Sequence, residues 1–459
     1  MPAFTPETTI LALGRDFYDP VEPAIFPQHI LRFRNAPAAA SVGLDGLGEA
    51  QWLAHFGRFE PLPGSLAQPL ALRYHGHQFR TYNPDLGDGR GFLFAQLRDA
   101  SGRLLDLGTK GSGTTPYSRF GDGRLTLKGA VREILATEML EALGVATSRT
   151  FSVIETGESL TRNDEPSPTR SAVLVRLSHS HIRYGSFQRQ AFHQNRDALA
   201  RLVDYCLTHL APEASGPTPA AALMDHAVKG AARLAAQYMA AGFVHGVLNT
   251  DNINITGESF DYGPWRFAPA WDAGFTAAYF DHAGLYAFGR QAEALQWNLF
   301  QLGGALRLIA EVDELKGPLE TYPQRYRAAL SDAVLGRLGV KRLGPSEDEA
   351  LVAAIQTALV ATQMNPDRFF FDWRCGVRRG PSPAEHHYSH DAFTGFTALI
   401  PDFATDAPAH PYWADVAPCT MLIDEVEALW APIAERDDWA PLHAKIAAIR
   451  RMGEAHREG

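Results

Sequence analysis

Near residue 190 the spacing of apolar side chains changes period, and this change most narrows what the chain can fold into. Before it, short β-type runs alternate with turns: "GFLFAQLRD" from residue 91, "LLDLGTKGSG" from 104, "TFSVIETG" from 150 and "SAVLVRLS" from 171. One helix interrupts them, "LKGAVREILATEMLEALG", with Val131, Ile134, Leu135, Met139, Leu140 and Leu143 on one stripe and Gly144 as its stop. After residue 190 the apolar positions recur at helical spacing through 197–211, 221–241, 291–310, 324–337 and 347–363. Strands followed by helices predict an α+β architecture in two lobes, with the ligand cleft between them. The first seventy residues are rich in Pro, Ala and Gly and carry no strong period. The stretches "TRNDEPSPTR" and "RRGPSPAEHHYSHD" read as exposed insertions.

Composition excludes several classes. A formal charge of −10 disfavours a general nucleic-acid or acidic-membrane binder, because neither gains from a negative surface. No run reaches the apolar length of a membrane span, and the start lacks a basic segment followed by an apolar core, so a cytoplasmic location is expected. Cys206, Cys375 and Cys419 form no CxxC pair, and each reads as a small buried residue.

Three stretches of the strand-rich half carry chemistry. "LGDGRG" sets Gly87, Asp88, Gly89 and Arg90 in one turn, and "LGTKGSGTTPYSRFGDGR" sets Lys110 at a strand end before a second Gly-Asp-Gly-Arg that includes Asp122 and Gly123. Glycine lets backbone N–H groups approach a phosphate, although Gly-Asp-Gly is also a common turn; neither stretch has P-loop spacing. In "VLVRLSHSHIRYG" the apolar run before Arg176 predicts a partly buried strand, so Arg176 and Arg183 need an anion, either a phosphate or a carboxylate.

The segment "VHGVLNTDNINITGESFDYG" supplies Asp251, Asn252 and Asp261, hard oxygen groups suited to a divalent cation and to base chemistry beside phosphate. "INI" and "SFDYG" suggest a short hairpin that brings Asn252 and Asp261 together; an Asx-rich turn is the plain alternative. The Arg-Asp pair of a kinase catalytic loop is missing. His75 and His77 in "YHGHQF" read as polar surface, and "EHHYSHD" reads as a solvated loop.

Together "LGDGRG", "LGTKGSGTTPYSRFGDGR", "HIRYGSF", "HGVLNTDNINITGESFDYGP" and "WNLFQL" resemble the selenoprotein O family, the YdiU-type protein adenylyltransferases, over about residues 70–374. The resemblance implies a protein-kinase-like bilobal fold: an extension over 1–70, a strand-rich N-lobe over 71–190, a helical C-lobe over 191–374 and a divergent extension over 375–459. It implies transfer of AMP from ATP, or UMP from UTP, to Ser, Thr or Tyr hydroxyls of proteins, with Mg²⁺ or Mn²⁺. By the same resemblance Lys110 holds phosphate with Glu133 as its helix partner. Gly87, Gly89, Arg90, Asp122 and Gly123 contact nucleotide, and Arg176 and Arg183 hold the outer phosphates. Asp251 is the base, and Asn252 and Asp261 take the metal. The family binds ATP reversed relative to kinases, with the γ-phosphate buried. Periodicity alone nominates Glu138 rather than Glu133 as the inward-facing acid of its helix. Leu285 stands where the family commonly has Arg, and the tail lacks the family's closing segment and terminal cysteine or selenocysteine, so redox gating is not carried over. An ordinary phosphotransferase and a non-catalytic nucleotide-binding pseudokinase are the competing readings.

Overall fold

The computed structural model describes residues 3–163, 165–406 and 410–458. Its first half holds β1 (Thr5–Glu7), β2 (Tyr18–Pro20), β3 (Ile30–Arg34), β4 (Leu70–Leu72), β5 (Gly76–Gln78), β6 (Thr81–Asn83), β7 (Leu93–Arg98), β8 (Leu104–Lys110), β9 (Leu125–Thr126), β10 (Arg149–Leu160) and β11 (Thr169–Ser178). The main sheet is antiparallel in the order β2-β4-β7-β8-β11-β10-β3, with β1 added to β7 and β9 to β11. The central strand β8 is buried along its whole length, as expected for a strand covered on both faces.

Helices α1 (Ala36–Ser41) and α2 (Glu49–Phe56) cover one face, where Trp52 stacks on Phe151 at 5.0 Å and donates its indole N–H to Ser152 Oγ at 2.9 Å. Helix α3 (Leu127–Ala142) lies on the other face. The Thr126 hydroxyl caps it by accepting the Gly129 N–H, and Gly144 ends it at φ +77°. The first seventy residues therefore contribute strands and a face cover, although their aperiodic composition shows neither.

The second half holds α4 (Tyr184–Phe192), α5 (Arg196–His209), α6 (Pro219–Ala241), α7 (Gln291–Leu306), α8 (Val312–Glu320), α9 (Tyr322–Leu338), α10 (Pro345–Thr362), α11 (Pro366–Asp372), α12 (Glu385–Tyr388), α13 (Thr394–Phe403), α14 (Ile423–Arg436) and α15 (Ala440–Arg457). The five helices expected from periodicity are α5, α6, α7, α9 and α10. Alanine-rich α6 is buried around most of its circumference and forms the axis of this lobe. A short ribbon of β12 (Phe243–Val244) and β13 (Arg266–Phe267) follows it. A strand lobe with one internal helix set over a helical lobe is the protein-kinase-like arrangement.

The C-terminal helices return to the strand lobe. Along α3, Glu427 pairs with Lys128 at 2.7 Å, Arg450 grips Glu138 through two hydrogen bonds of 2.7 and 2.6 Å, and Gly453 packs against Ala142. Glu138 is thus buried, as periodicity indicated, but its partner comes from 312 residues away. Arg450→Ala strands that carboxylate with only the Asn35 amide nearby at 3.3 Å. Because the arginine is one-third exposed, the expected loss of stability is about 2 kcal/mol rather than the larger cost of a fully buried pair, measurable by denaturant unfolding.

Two local expectations are corrected. Residues 253–261 form no hairpin; Asn254 bridges to Arg183 and Ser259 to Thr147, so neighbouring loops satisfy this backbone. His75 is not polar surface. It is buried, its Nδ1 lies 2.8 Å from the Tyr82 hydroxyl, and burial lowers its pKa to about 4.

Candidate active site

Register explains the inner wall of the cleft. In the β8–β11 pair Lys110 lies opposite Leu174 and Arg176 opposite Gly108, so Lys110 and Arg176 are diagonal neighbours on one face. That face meets α3, where Lys110 Nζ donates to Glu133 Oε2 at 2.8 Å. The same ammonium reaches the Tyr262 carbonyl at 3.2 Å and lies 3.8 Å from Asp261 Oδ1. Arg176 Nη1 donates to Asp261 Oδ1 at 3.1 Å. Arg183, only 2 % exposed, holds Asp88 at 3.2 Å and Asp261 at 3.7 Å. Both guanidinium groups lie over the Phe260 ring, at 5.2 and 5.0 Å, which favours cations there.

Asp261 is the meeting point of these charges. Its backbone is left-handed at φ +65°, a conformation Asp tolerates better than most residues. Burial alone would raise its pKa, but Arg176, Lys110 and Arg183 outweigh that and hold the carboxyl well below its usual range. Asp251 has the opposite balance: it is buried with little compensating charge, and burial pushes its carboxyl up to about 6. Asp251 Oδ1, Glu133 Oε1 and the Nε groups of Arg176 and Arg183 are buried without a hydrogen-bond partner. Such a set of unpaired donors and acceptors at one place is costly unless a ligand completes it.

The two Gly-Asp-Gly-Arg turns form the outer wall, and both pack on the segment 113–118 that precedes the second. A Cβ on Gly87 would fall 2.3 Å from the Tyr117 ring, and Gly123 sits at φ +69° with its α-carbon against Gly113. Both glycines are therefore required for loop packing. Asp122 is held on the rim by Arg162 at 2.8 Å. Gly87, Gly89, Arg90, Lys110, Asp122, Gly123, Arg176, Arg183, Asp251, Asn252 and Asp261 all line one cleft of about 750 Å³, and Glu133 stands behind Lys110.

A divalent cation fits the acidic side. Asn252 spends its amide N–H on the Val247 carbonyl at 2.9 Å, which leaves its oxygen as a donor atom in the cleft that Asp261 also lines. Among the described residues no cluster of three or more His, Cys, Asp or Glu forms a cage. A cation here would take few protein ligands and complete its shell with phosphate and water, the habit of Mg²⁺.

Sequence reasoning missed several residues of the site. Asp88 was read only as part of a turn, yet it pairs with Arg183. Gln188 carries no signal, whereas Tyr74 stands in "YHGHQF" and Asn249 and Thr250 stand directly before Asp251 in its stretch. Gln78 stands in a stretch that drew attention for its histidines.

A family model described as "Protein adenylyltransferase SelO" matches residues 3–450. Among curated relatives, the protein nucleotidyltransferase YdiU of Gloeobacter violaceus is 44 % identical, covering 97 % of this chain and 95 % of that protein. The protein of the same name from Trichodesmium erythraeum is 46 % identical over 96 % and 98 % of the two chains. Among solved structures, ROP2 from Toxoplasma gondii, described as a virulence factor with a protein-kinase fold and no enzymatic activity, aligns with 74 % of this chain and 84 % of its own at 12 % identity and a TM-score of 0.26.

Proposed function

The chain belongs to the SelO family of protein adenylyltransferases, and from that premise we propose that it transfers AMP from ATP, or UMP from UTP, to Ser, Thr or Tyr hydroxyls of proteins and releases pyrophosphate. The observation that carries this reading is the convergence of Lys110, Arg176 and Arg183 on Asp261 at the buried end of a cleft whose other acid, Asp251, keeps an unpartnered oxygen. Three buried cations are more than a phosphate exposed for transfer needs, and they suit the two outer phosphates of the triphosphate, which leave as pyrophosphate.

In this reading the acceptor hydroxyl attacks the α-phosphorus in line. Its proton passes to the Asp251 carboxylate, a new O–P bond forms, and the bond to the bridging oxygen of pyrophosphate breaks. Lys110, anchored by Glu133, and the two arginines take up the charge on the departing pyrophosphate. Asn252 and Asp261 would hold Mg²⁺ or Mn²⁺, which when bound neutralises phosphate oxygens. The glycine turns with Arg90, Asp122 and Gly123 border the nucleotide. The strand lobe over 71–190 then serves as the phosphate-binding unit and 191–374 as the unit carrying base and metal ligands. Among the described residues no helix is long and apolar enough to cross a membrane.

The test is the position of the label. With Mg²⁺ or Mn²⁺ and a mixed protein acceptor, α-labelled ATP is expected to label protein and γ-labelled ATP is not. Label from the γ position with release of ADP would make the chain an ordinary kinase, and binding without transfer would make it a pseudokinase.

A further inference from the structure

The ribbon β5–β6 departs from the main sheet. It is a two-residue hairpin pairing Gly76 with Asn83, His77 with Tyr82 and Gln78 with Thr81. Its turn residues, Phe79 and Arg80, have φ of +48° and +64°. Positive φ at both central residues is the habit of Asn-Gly turns, and a Phe-Arg pair adopts it only under outside constraint. The constraint comes from the helical lobe. The Phe79 N–H donates to Asn249 Oδ1 at 3.0 Å, and its ring packs on Phe280 and Tyr286 at 5.7 and 5.1 Å. Arg80 pairs with Glu293 at 3.1 Å and lies over Trp297.

The clamp is in register with the loop that carries Asp251. The His77 N–H donates to Thr250 Oγ1 at 2.7 Å, and Thr250 in turn donates to Gln188 Oε1 at 2.7 Å. Gln188 Nε2 closes the ring on His77 Nδ1 at 2.8 Å. Residues 77 and 79 are thus tied to Thr250 and Asn249, and Gln78 between them reaches the next residue of the loop: its Nε2 lies 3.4 Å from Asp251 Oδ2. Asn83 Nδ2 donates to Gln78 Oε1 at 3.3 Å, which turns the amide nitrogen towards the carboxylate. Gly76 brings backbone so close that a Cβ there would lie 2.8 Å from Asp251 Oδ1. One carboxylate oxygen is therefore held by Gln78 while the other has no partner.

We propose that Gln78 is a positioning residue of the transfer reaction, fixing the rotation of the Asp251 carboxylate through Oδ2 while Gly76 closes over Oδ1. This rests on the nucleotidyl-transfer reading above. A neutral amide suits the task, because it supplies a donor without drawing the negative charge that an acceptor proton must meet.

The experiment compares the full chain with Gln78→Ala and Gln78→Glu in α-label transfer, nucleotide binding at equilibrium and thermal unfolding. Gln78→Glu keeps size and shape but replaces the donor by a second carboxylate. Expected is a fall in kcat of about tenfold to hundredfold in both variants, largest in Gln78→Glu, with the dissociation constant for ATP within about twofold of wild type. A hairpin contact of purely structural value would lower the unfolding midpoint or the affinity and leave kcat of the bound enzyme alone. Wild-type kcat in Gln78→Glu, or a loss confined to ATP affinity, overturns the role of Gln78. A wild-type chain that transfers no α-label overturns the transferase reading itself, so the two failures are distinct.

Discussion

Asp261→Asn is expected to lower nucleotidyl transfer about a hundred- to thousandfold, the scale on which removal of one preorganised electrostatic group acts in other enzymes. The substitution is chosen because Asn, like Asp, tolerates the left-handed backbone at φ +65°, so charge is removed without added strain. What is lost is the one carboxylate that Arg176, Arg183 and Lys110 approach within 3.1, 3.7 and 3.8 Å. Without it these cations repel one another in a site with little water to screen them. Glu133 and Asp88 remain as partial partners, and Asp261 is recessed rather than sealed, so the expected loss of stability is about 2 kcal/mol. Transfer assays with α-labelled nucleotide across Mg²⁺ and Mn²⁺ concentrations, with thermal unfolding alongside, measure both parts. Activity recovered by excess metal would show that the carboxylate only raises metal affinity; a loss that persists at saturating metal fits its role in neutralising the three cations.

Arg183→Met should weaken ATP binding about a hundredfold while changing AMP binding less than about threefold. The guanidinium is enclosed between the Tyr74 and Phe260 rings at 4.4 and 5.0 Å and bound to Asp88, so it is fixed before any ligand arrives. A fixed charge-assisted donor to phosphate contributes on the order of 1.5–3 kcal/mol, which is about ten- to hundredfold in affinity. The contrast between ATP and AMP is the informative quantity. If the inner end of the cleft takes the outer phosphates, AMP never reaches Arg183. Equal loss for the two nucleotides would place the α-phosphate at Arg183 and the γ-phosphate at the cleft mouth, as in a kinase. Calorimetric titration with each nucleotide decides between the orientations.

The helix of Glu133 shows where sequence patterns mislead. A helical wheel assumes one buried stripe, and on that assumption Glu138 faces inward and Glu133 does not. In the structure both are buried, at 5 % and 1 % exposure, because α3 is enclosed by the sheet, the helical lobe and α15. One acid answers Lys110 and the other answers Arg450, and the wheel cannot separate them. His75 fails for a related reason: a histidine in a short polar stretch reads as surface until the hairpin is folded onto α4 and its neighbours. The three-residue strands β1 and β2 are too short for any alternation to register.

The order of strand lobe and helical lobe, helices α5, α6, α7, α9 and α10, and the chemical types present at the site are legible in the sequence alone. These follow from local apolar spacing and from motifs whose residues are near one another in the chain. Packing brings three cations to Asp261, α15 to α3 and Gln78 to Asp251. Each of these is a contact between segments 78 to 312 residues apart, from Arg183–Asp261 to Arg450–Glu138. Neither segment of such a pair carries a local pattern announcing the other, since the energy that selects the contact arises only once packing has removed both from water.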